Sequence, residues 1–208
     1  MCGESVCVDR IAMTAIKAYE DVWQRCDELS HLYAYLSKQV TSVYSLDDLL
    51  RAEWAMRISA LDLFVHELTA QRMLEIFRGT RPPTPAFHRF QLPYETVHRI
   101  RQAPSPADAA SAFDLEVRTQ LSRKTFQAPD DIALALRHCS EIELWQEIAL
   151  KLGANQSEKS DKAKFLKEIY LCSCSGEIRL CMKVICNLNS RERRGLSLNP
   201  ILHTSRLG

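Results

Sequence analysis

The sequence predicts an all-α protein, a bundle of two long antiparallel helices with several short helices around them. Apolar residues recur at helical spacing over two long stretches, 8–40 and 46–77. The six glycines and eight prolines are too few for the closely spaced turns of a β-sandwich or barrel. No stretch shows the sustained alternation of apolar and polar residues that is typical of a strand.

The first long helix is predicted from Val8 to about Val40, because neither glycine nor proline interrupts its apolar stripe. Ser45 is predicted to cap the second helix, with its hydroxyl accepting from free amides and two aspartates next to the positive helix end. Gly79 is predicted to end that helix. Its predicted inward-facing residues are Leu49, Leu50, Trp54, Ile58, Leu61, Val65, Leu68, Leu74 and Phe77.

Six of the eight prolines lie between Pro82 and Pro106, so the segment 80–93 is predicted to be a fixed surface loop. Proline in a first helical turn needs no amide, and this favours a helix that opens at Ser105-Pro106. The short helices are predicted at about 94–102, 106–124, 129–139, 142–152 and from Ser160 onward.

The charge of the chain is nearly balanced, with 27 basic and 26 acidic residues and a net charge of +1. This excludes a global basic field that would hold nucleic acid by charge alone, so a nucleic-acid role would need a local site. No apolar run approaches the roughly 20 residues of a membrane span, and the first ten residues lack the order of a signal peptide. We therefore expect a cytoplasmic protein with no membrane partner.

Asp62 and His66 are the candidate catalytic residues of the intact helical region. They are four positions apart and share a helix face, where a carboxylate can orient an imidazole for general acid–base catalysis. The same spacing is typical of an ordinary helix-stabilising pair, so both interpretations stay open.

Four cysteines, Cys172, Cys174, Cys181 and Cys186, crowd into one short stretch near the end of the chain. Their spacing is not that of the paired knuckles of a zinc site, and no metal or other cofactor is predicted. The basic run 191–194 is too short to predict a nucleic-acid patch without support elsewhere. The sequence contains no glycine-rich phosphate loop, G-x-S-x-G or H-E-x-x-H motif.

Several phrases of the sequence, in the same order, resemble the RiboL-PSP-HEPN family. The likeness covers about residues 10–171, and the phrases that carry it are 47–54, 59–68, 81–85, 132–136, 144–149 and 151–153. The resemblance implies an all-α, HEPN-like bundle that forms a homodimer and belongs to prokaryotic defence and toxin systems. An antitoxin protein and RNA are the partners that it implies.

Many members of the wider HEPN group are metal-independent endoribonucleases with an Arg-Asn-x-x-x-His motif. In such a motif the histidine relays a proton at the ribose 2′-hydroxyl, and the arginine stabilises the phosphate in the transition state. Arg25 and His31 have a related spacing, but Cys26 stands where the family has a polar residue. The pair is therefore interpreted as a decoy on a solvated helix face.

The family motif is expected after residues 166–169, but no suitably spaced Arg and His occur there. We hypothesise that the tail 172–208 is an out-of-frame translation. If its codons are read one nucleotide earlier, the triplet overlapping Met182 can encode only His or Tyr, and the triplet overlapping Lys183 only Glu. Residues 176–183 then permit Arg-Arg-Asn-Lys-Ile-Met-His-Glu, which contains the motif. Codon degeneracy could also produce this match by coincidence.

The predicted organisation is an N-terminal segment (1–9), a HEPN-like helical domain (10–171) and an aberrant, poorly packed tail (172–208). The chain is predicted to be related to endoribonucleases but to be inactive, because it lacks an intact motif. The alternative is a non-catalytic helical module that dimerises or binds a nucleotide or a partner protein.

Overall fold

The computed structural model describes residues 4–39, 46–151, 153–155, 157–158, 160–161 and 163–164, with side chains from residue 16 onward. This part of the chain forms seven helices and no strand, so the all-α prediction is confirmed. The helices are α1 (Glu4–Leu36), α2 (Asp47–Phe77), α3 (Pro85–His88), α4 (Tyr94–Arg101), α5 (Pro106–Leu121), α6 (Pro129–Arg137) and α7 (Leu144–Lys151).

The two long helices, α1 and α2, pack as an antiparallel hairpin. The rings of Tyr19 and Phe64 are 5.8 Å apart between centroids, whereas further along α1 the Cys26 Sγ lies 3.8 Å from the carbonyl oxygen of Glu53. Later positions in α1 therefore meet earlier positions in α2, as the sequence predicts for an antiparallel pair.

The second half of α2 is the centre of the core. Helices α5 and α6 pack against it, α4 packs against α5, and α7 packs against α6. Phe64, Val65 and Met73 of α2 are almost fully buried, together with Phe113 and Val117 of α5. Burial of aliphatic and aromatic side chains of this size contributes about 1.5–3 kcal/mol each, so this packing holds the bundle together.

Local chemistry fixes several helix ends where the sequence predicts them. Gly79 has φ of +73° and follows α2, with its amide 2.9 Å from the carbonyl of Ile76 and the Thr80 amide 3.0 Å from that of Glu75. This is a Schellman motif, in which the left-handed backbone favours glycine. At α5, the Ser105 hydroxyl accepts from the Asp108 amide at 3.2 Å, which confirms the predicted start.

The predicted bounds of α1 are wrong at both ends. The helix begins at Glu4 and ends at Leu36, because the amides of Lys38 and Gln39 bond to carbonyls three positions back and form tight turns. The predicted cap Ser45 lies outside the described residues. Helix α2 follows Leu46, which makes no capping hydrogen bond through its side chain.

Four of the short helices are shorter than predicted, α4 by a single residue. After Leu121 and Arg137, the backbone closes in tight turns between residues three apart, which end α5 and α6 early. Helix α7 begins at Leu144, with its first hydrogen bond from the Glu147 amide to the Glu143 carbonyl, 3.0 Å. A last helix is predicted from Ser160, and residues 160–161 and 163–164 have helical backbone.

The predicted loop 80–93 contains the short helix α3. The Thr84 hydroxyl caps this helix by accepting from the Phe87 amide at 3.0 Å, and Pro85 occupies the first turn. These are the same start signals as those of α5, so the prolines here begin a helix instead of only preventing one. The segment 80–93 is fixed to the protein surface, as predicted, because the buried Thr84 attaches it.

Two residues that were predicted to face inward are exposed. Leu50 and Trp54, in the first half of α2, are 40% and 51% exposed. Helix α5 contacts α2 in its second half, through Arg118 with Glu67 and Phe113 with Phe77, so the described start of α2 extends past these contacts. The tail 172–208 and the predicted domain boundary before it lie outside the described residues. No helix in the described part of the chain is both long and apolar enough to cross a membrane.

Candidate functional site

Asp62 and His66 lie together on α2, as their spacing predicts. The Nε2 atom of His66 is 3.6 Å from Oδ2 of Asp62, and both side chains are about one-fifth exposed, 19% and 23%. This distance is longer than a hydrogen bond, so the two side chains lie side by side without a direct hydrogen bond. The pair keeps an accessible edge, as a proton relay would require.

The other carboxylate oxygen of Asp62 forms a hydrogen bond with the segment that follows α5. Oδ1 of Asp62 accepts a hydrogen bond from the backbone amide of Phe126, and the ring of His66 lies 4.5 Å from the Phe126 ring. Phe126 is only 2% exposed. The pair therefore attaches the connection between α5 and α6 to α2, whatever chemistry it has.

A second ion pair reinforces the same junction. Arg118 of α5 lies 2.6 Å from Glu67 of α2 and 2.9 Å from Asp114. The hydrogen bond with Glu67 raises the pKa of Arg118, and burial offsets this only in part. The two ion pairs of Arg118 thus go to carboxylates of the protein.

Truncation of Asp62 is expected to weaken the fold. Asp62→Ala leaves the Phe126 amide without an acceptor, a loss of about 1–3 kcal/mol in the free energy of unfolding. Asp62→Asn keeps an oxygen at this position and is expected to lose less. Urea denaturation of both variants measures the difference. An unchanged stability together with a change in RNA cleavage would instead assign a catalytic role to Asp62.

Arg25 and His31 are both exposed on α1. Cys26, which directly follows Arg25 at the motif position where the family has a polar residue, is fully buried. Six positions along a helix correspond to roughly 240° of rotation and 9 Å of rise, so the two side chains leave the helix in different directions. Burial raises the pKa of the Cys26 thiol. In place of the family's polar residue, α1 thus carries a packing residue that faces α2.

A buried arginine at the α1–α2 interface was not identified from the sequence. Arg57 is 4% exposed, with Nη2 2.7 Å from Asp27 and 2.8 Å from Glu53, and its guanidinium lies 4.3 Å from the ring centroid of Trp23. Burial would lower the pKa of Arg57, but the hydrogen bonds with both carboxylates raise it. The sequence does contain one indication that Arg57 is buried. It lies four residues before the core residue Leu61, so both residues are on the same face of α2.

A second buried ion cluster lies near the end of α2. The two oxygens of Glu75 are 2.6 and 2.5 Å from Nη1 of Arg72, and Oε2 is 3.3 Å from Nε of Arg81. All three side chains are at least 89% buried, with exposures of 5%, 9% and 11%. One carboxylate here neutralises two guanidinium groups in a low-dielectric environment.

The segment 81–84, part of the family resemblance, binds the carbonyl end of α6. Nη1 of Arg81 donates to the Cys139 carbonyl at 3.1 Å, and the Thr84 hydroxyl lies 2.9 and 3.0 Å from the carbonyls of Arg137 and His138. The last carbonyls of a helix lack hydrogen-bond partners within the helix. The side chains of Arg81 and Thr84 act as these missing partners. This explains the segment structurally without a catalytic role.

No set of three or more potential metal ligands occurs among the described residues. The cysteine cluster 172–186 and the residues of the hypothetical shifted motif lie outside them. Asp62 and His66 are thus brought together, Arg25 and His31 are not, and the assignment of either pair to catalysis stays a prediction. No family model matches the chain, nor does any curated protein or solved structure.

Proposed function

We propose that this chain is a non-catalytic, HEPN-like helical module that acts by forming a homodimer through the projecting end of the α1–α2 hairpin. One observation carries the proposal. Four large apolar side chains are exposed at that end: Leu32 (43%), Tyr35 (63%), Leu50 (40%) and Trp54 (51%).

The antiparallel register brings these four residues to the same end of the hairpin. Cys26 lies against Glu53, so residues beyond position 26 in α1 run alongside the start of α2. Leu32 and Tyr35 share one face of α1, and Leu50 and Trp54 share one face of α2. Large exposed apolar groups, aromatic ones above all, are typical of protein interfaces, and a two-fold axis would use this surface twice.

The proposed kinship with HEPN endoribonucleases is supported by the all-α bundle and by the ordered sequence phrases. The pair Arg25 and His31 does not act as a unit, since the two side chains leave α1 in different directions. Oδ1 of Asp62 accepts a hydrogen bond from a backbone amide. We therefore expect no RNA cleavage by the chain as written, and we infer that an ancestral product carried an intact motif in the other frame.

The dimer is tested by the mass of the protein in solution. Sedimentation velocity is expected to show a dimer for the chain as written and a monomer for the double variant Tyr35→Glu/Trp54→Glu, since loss of central aromatic contacts typically weakens an interface by about 30-fold or more. Tyr94→Glu is the matched control, because Tyr94 is 81% exposed on α4. A monomeric parent protein, or a dimer that survives the double change, contradicts the proposal.

RNA cleavage is the second candidate function, and one observation favours it. Arg25 and His31 are both exposed on α1, so a second copy of the chain can reach either side chain. Incubation with single-stranded RNA in EDTA separates the candidates. We expect no cleavage. Cleavage that Arg25→Ala or His31→Ala abolishes would establish the second candidate, and cleavage gained on restoring the other frame would support the proposed ancestry.

A further inference from the structure

One described segment of this nearly neutral chain is locally basic. Residues 78–102 contain five arginines and one acidic residue, Glu95, whereas the whole chain has a net charge of only +1. The arginines of this segment are Arg78, Arg81, Arg89, Arg99 and Arg101. Arg81 is held by Glu75, and the other four are exposed. The segment therefore adds a local excess of positive charge to the surface.

Helix α4 presents three of its side chains in one row. Tyr94, His98 and Arg101 are four and three positions apart, so they fall within roughly 60° of the helix circumference. All three are exposed, and Tyr94 is 81% exposed. The ring centroids of Tyr94 and His98 are 6.3 Å apart. We call these three residues the α4 row.

The opposite side of α4 holds the helix in place. Thr96 is 1% exposed, and its hydroxyl donates to Oε2 of Glu116 on α5 at 3.0 Å. Gln120 of α5 donates to the carbonyl of Gln91 at 2.9 Å, just before α4 begins. The α4 row is thus presented on a fixed element, which limits the entropy lost when it binds a partner.

Two further exposed cations lie on chain segments next to α4 and α5. Arg89 precedes Tyr94 by five residues, so the two are at most about 17 Å apart along the chain. Lys124 follows the end of α5, and both cations are exposed. Burial lowers the pKa of His138, whose ring lies 5.8 Å from that of Phe90, and the charges of Lys124 and Arg89 lower it further.

We propose that the α4 row binds single-stranded nucleic acid without cleaving it. The exposed ring of Tyr94 offers a face for stacking of an unpaired base, while Arg101 and Arg89 can contact the phosphates on either side. In a duplex the base faces are stacked inside the helix, so a duplex can make only the phosphate contacts. This nucleic-acid binding is a second activity beside dimer formation. It uses no residue at the projecting end of the α1–α2 hairpin.

The test measures the fluorescence anisotropy of a labelled twelve-residue oligouridylate at low salt. Tyr94→Ala is expected to weaken binding by roughly ten-fold, the loss typical of one base–aromatic stack. Arg101→Ala is expected to weaken binding and to flatten its salt dependence, by about 0.7 in the logarithmic slope for one phosphate contact. Glu95→Gln is expected to tighten binding.

Leu134→Ala and Lys17→Ala are the controls, as an exposed large apolar residue on α6 and an exposed cation on α1 that belong to neither proposed surface. Both are expected to bind like the parent protein. Circular dichroism checks that all variants are folded, and oligothymidylate in place of oligouridylate tells whether the sugar matters. Absence of binding, equal binding of a duplex, or a loss caused by the control variants and not by Tyr94→Ala overturns the proposal.

Discussion

Glu75→Ala is expected to be among the most destabilising single substitutions in this protein, with a loss of about 3–5 kcal/mol in the free energy of unfolding. The reason is the buried cluster at the end of α2, where the carboxylate of Glu75 contacts both Arg72 and Arg81. Without the carboxylate, two guanidinium groups stay in a region from which water is largely excluded. Such groups cannot escape by losing a proton, since arginine stays charged.

Urea denaturation measures this loss. Asp48→Ala is the matched control, because the Asp48–Arg51 pair has a similar N–O distance of 2.8 Å but side chains that are 87% and 76% exposed. An exposed pair contributes at most about 1 kcal/mol. If Glu75→Ala fails to fold, the double variant Arg72→Met/Glu75→Met removes one buried charge of each sign and is expected to recover part of the stability, since Arg81 still loses its contact with Glu75. Equal effects of Glu75→Ala and Asp48→Ala would disprove the explanation.

Arg57→Met is expected to lower the free energy of unfolding by about 3 kcal/mol. Methionine keeps most of the aliphatic stem but leaves Glu53, which is 12% exposed, without its cation. It also removes the guanidinium from the ring of Trp23, a cation–π contact that contributes about 1–2 kcal/mol where water is excluded. Both effects loosen α1 from α2.

Asp27→Asn is the control for this prediction. Asp27 is 41% exposed, so its loss leaves Arg57 with Glu53 and is expected to change stability by less than about 1 kcal/mol. Thermal and urea denaturation of the two variants give the comparison. Near-equal losses would mean that Asp27, and not the buried position of Arg57, determines the strength of this contact.

Features encoded by neighbouring residues were predictable from the sequence. Ser105 before Pro106 marks the start of α5, and Gly79 marks the end of α2, since capping and left-handed backbone depend on a few adjacent residues. The short helix α3 was missed although Thr84 before Pro85 is the same signal. Closely spaced prolines are typical of loops, and this signal masks the cap.

Contacts between distant residues were not predictable in this way. Arg57 and Asp27 are 30 positions apart, and helical periodicity treats a charged residue as solvated unless its partner is known. Periodicity also predicts which face of a helix is apolar but not how far a neighbouring helix extends along it. Trp54 was therefore assigned to the core, whereas it is exposed beyond the packed half of α2.

The attachment of Thr84 to the end of α6 has a consequence for biosynthesis. The acceptors of its hydroxyl are 53 and 54 positions further along the chain, so a ribosome must extend the nascent polypeptide well past α5 before this segment can dock. The α1–α2 hairpin can form earlier from its own contacts. Until α6 has emerged, the proline-rich stretch has no anchor at Thr84 and is open to proteases.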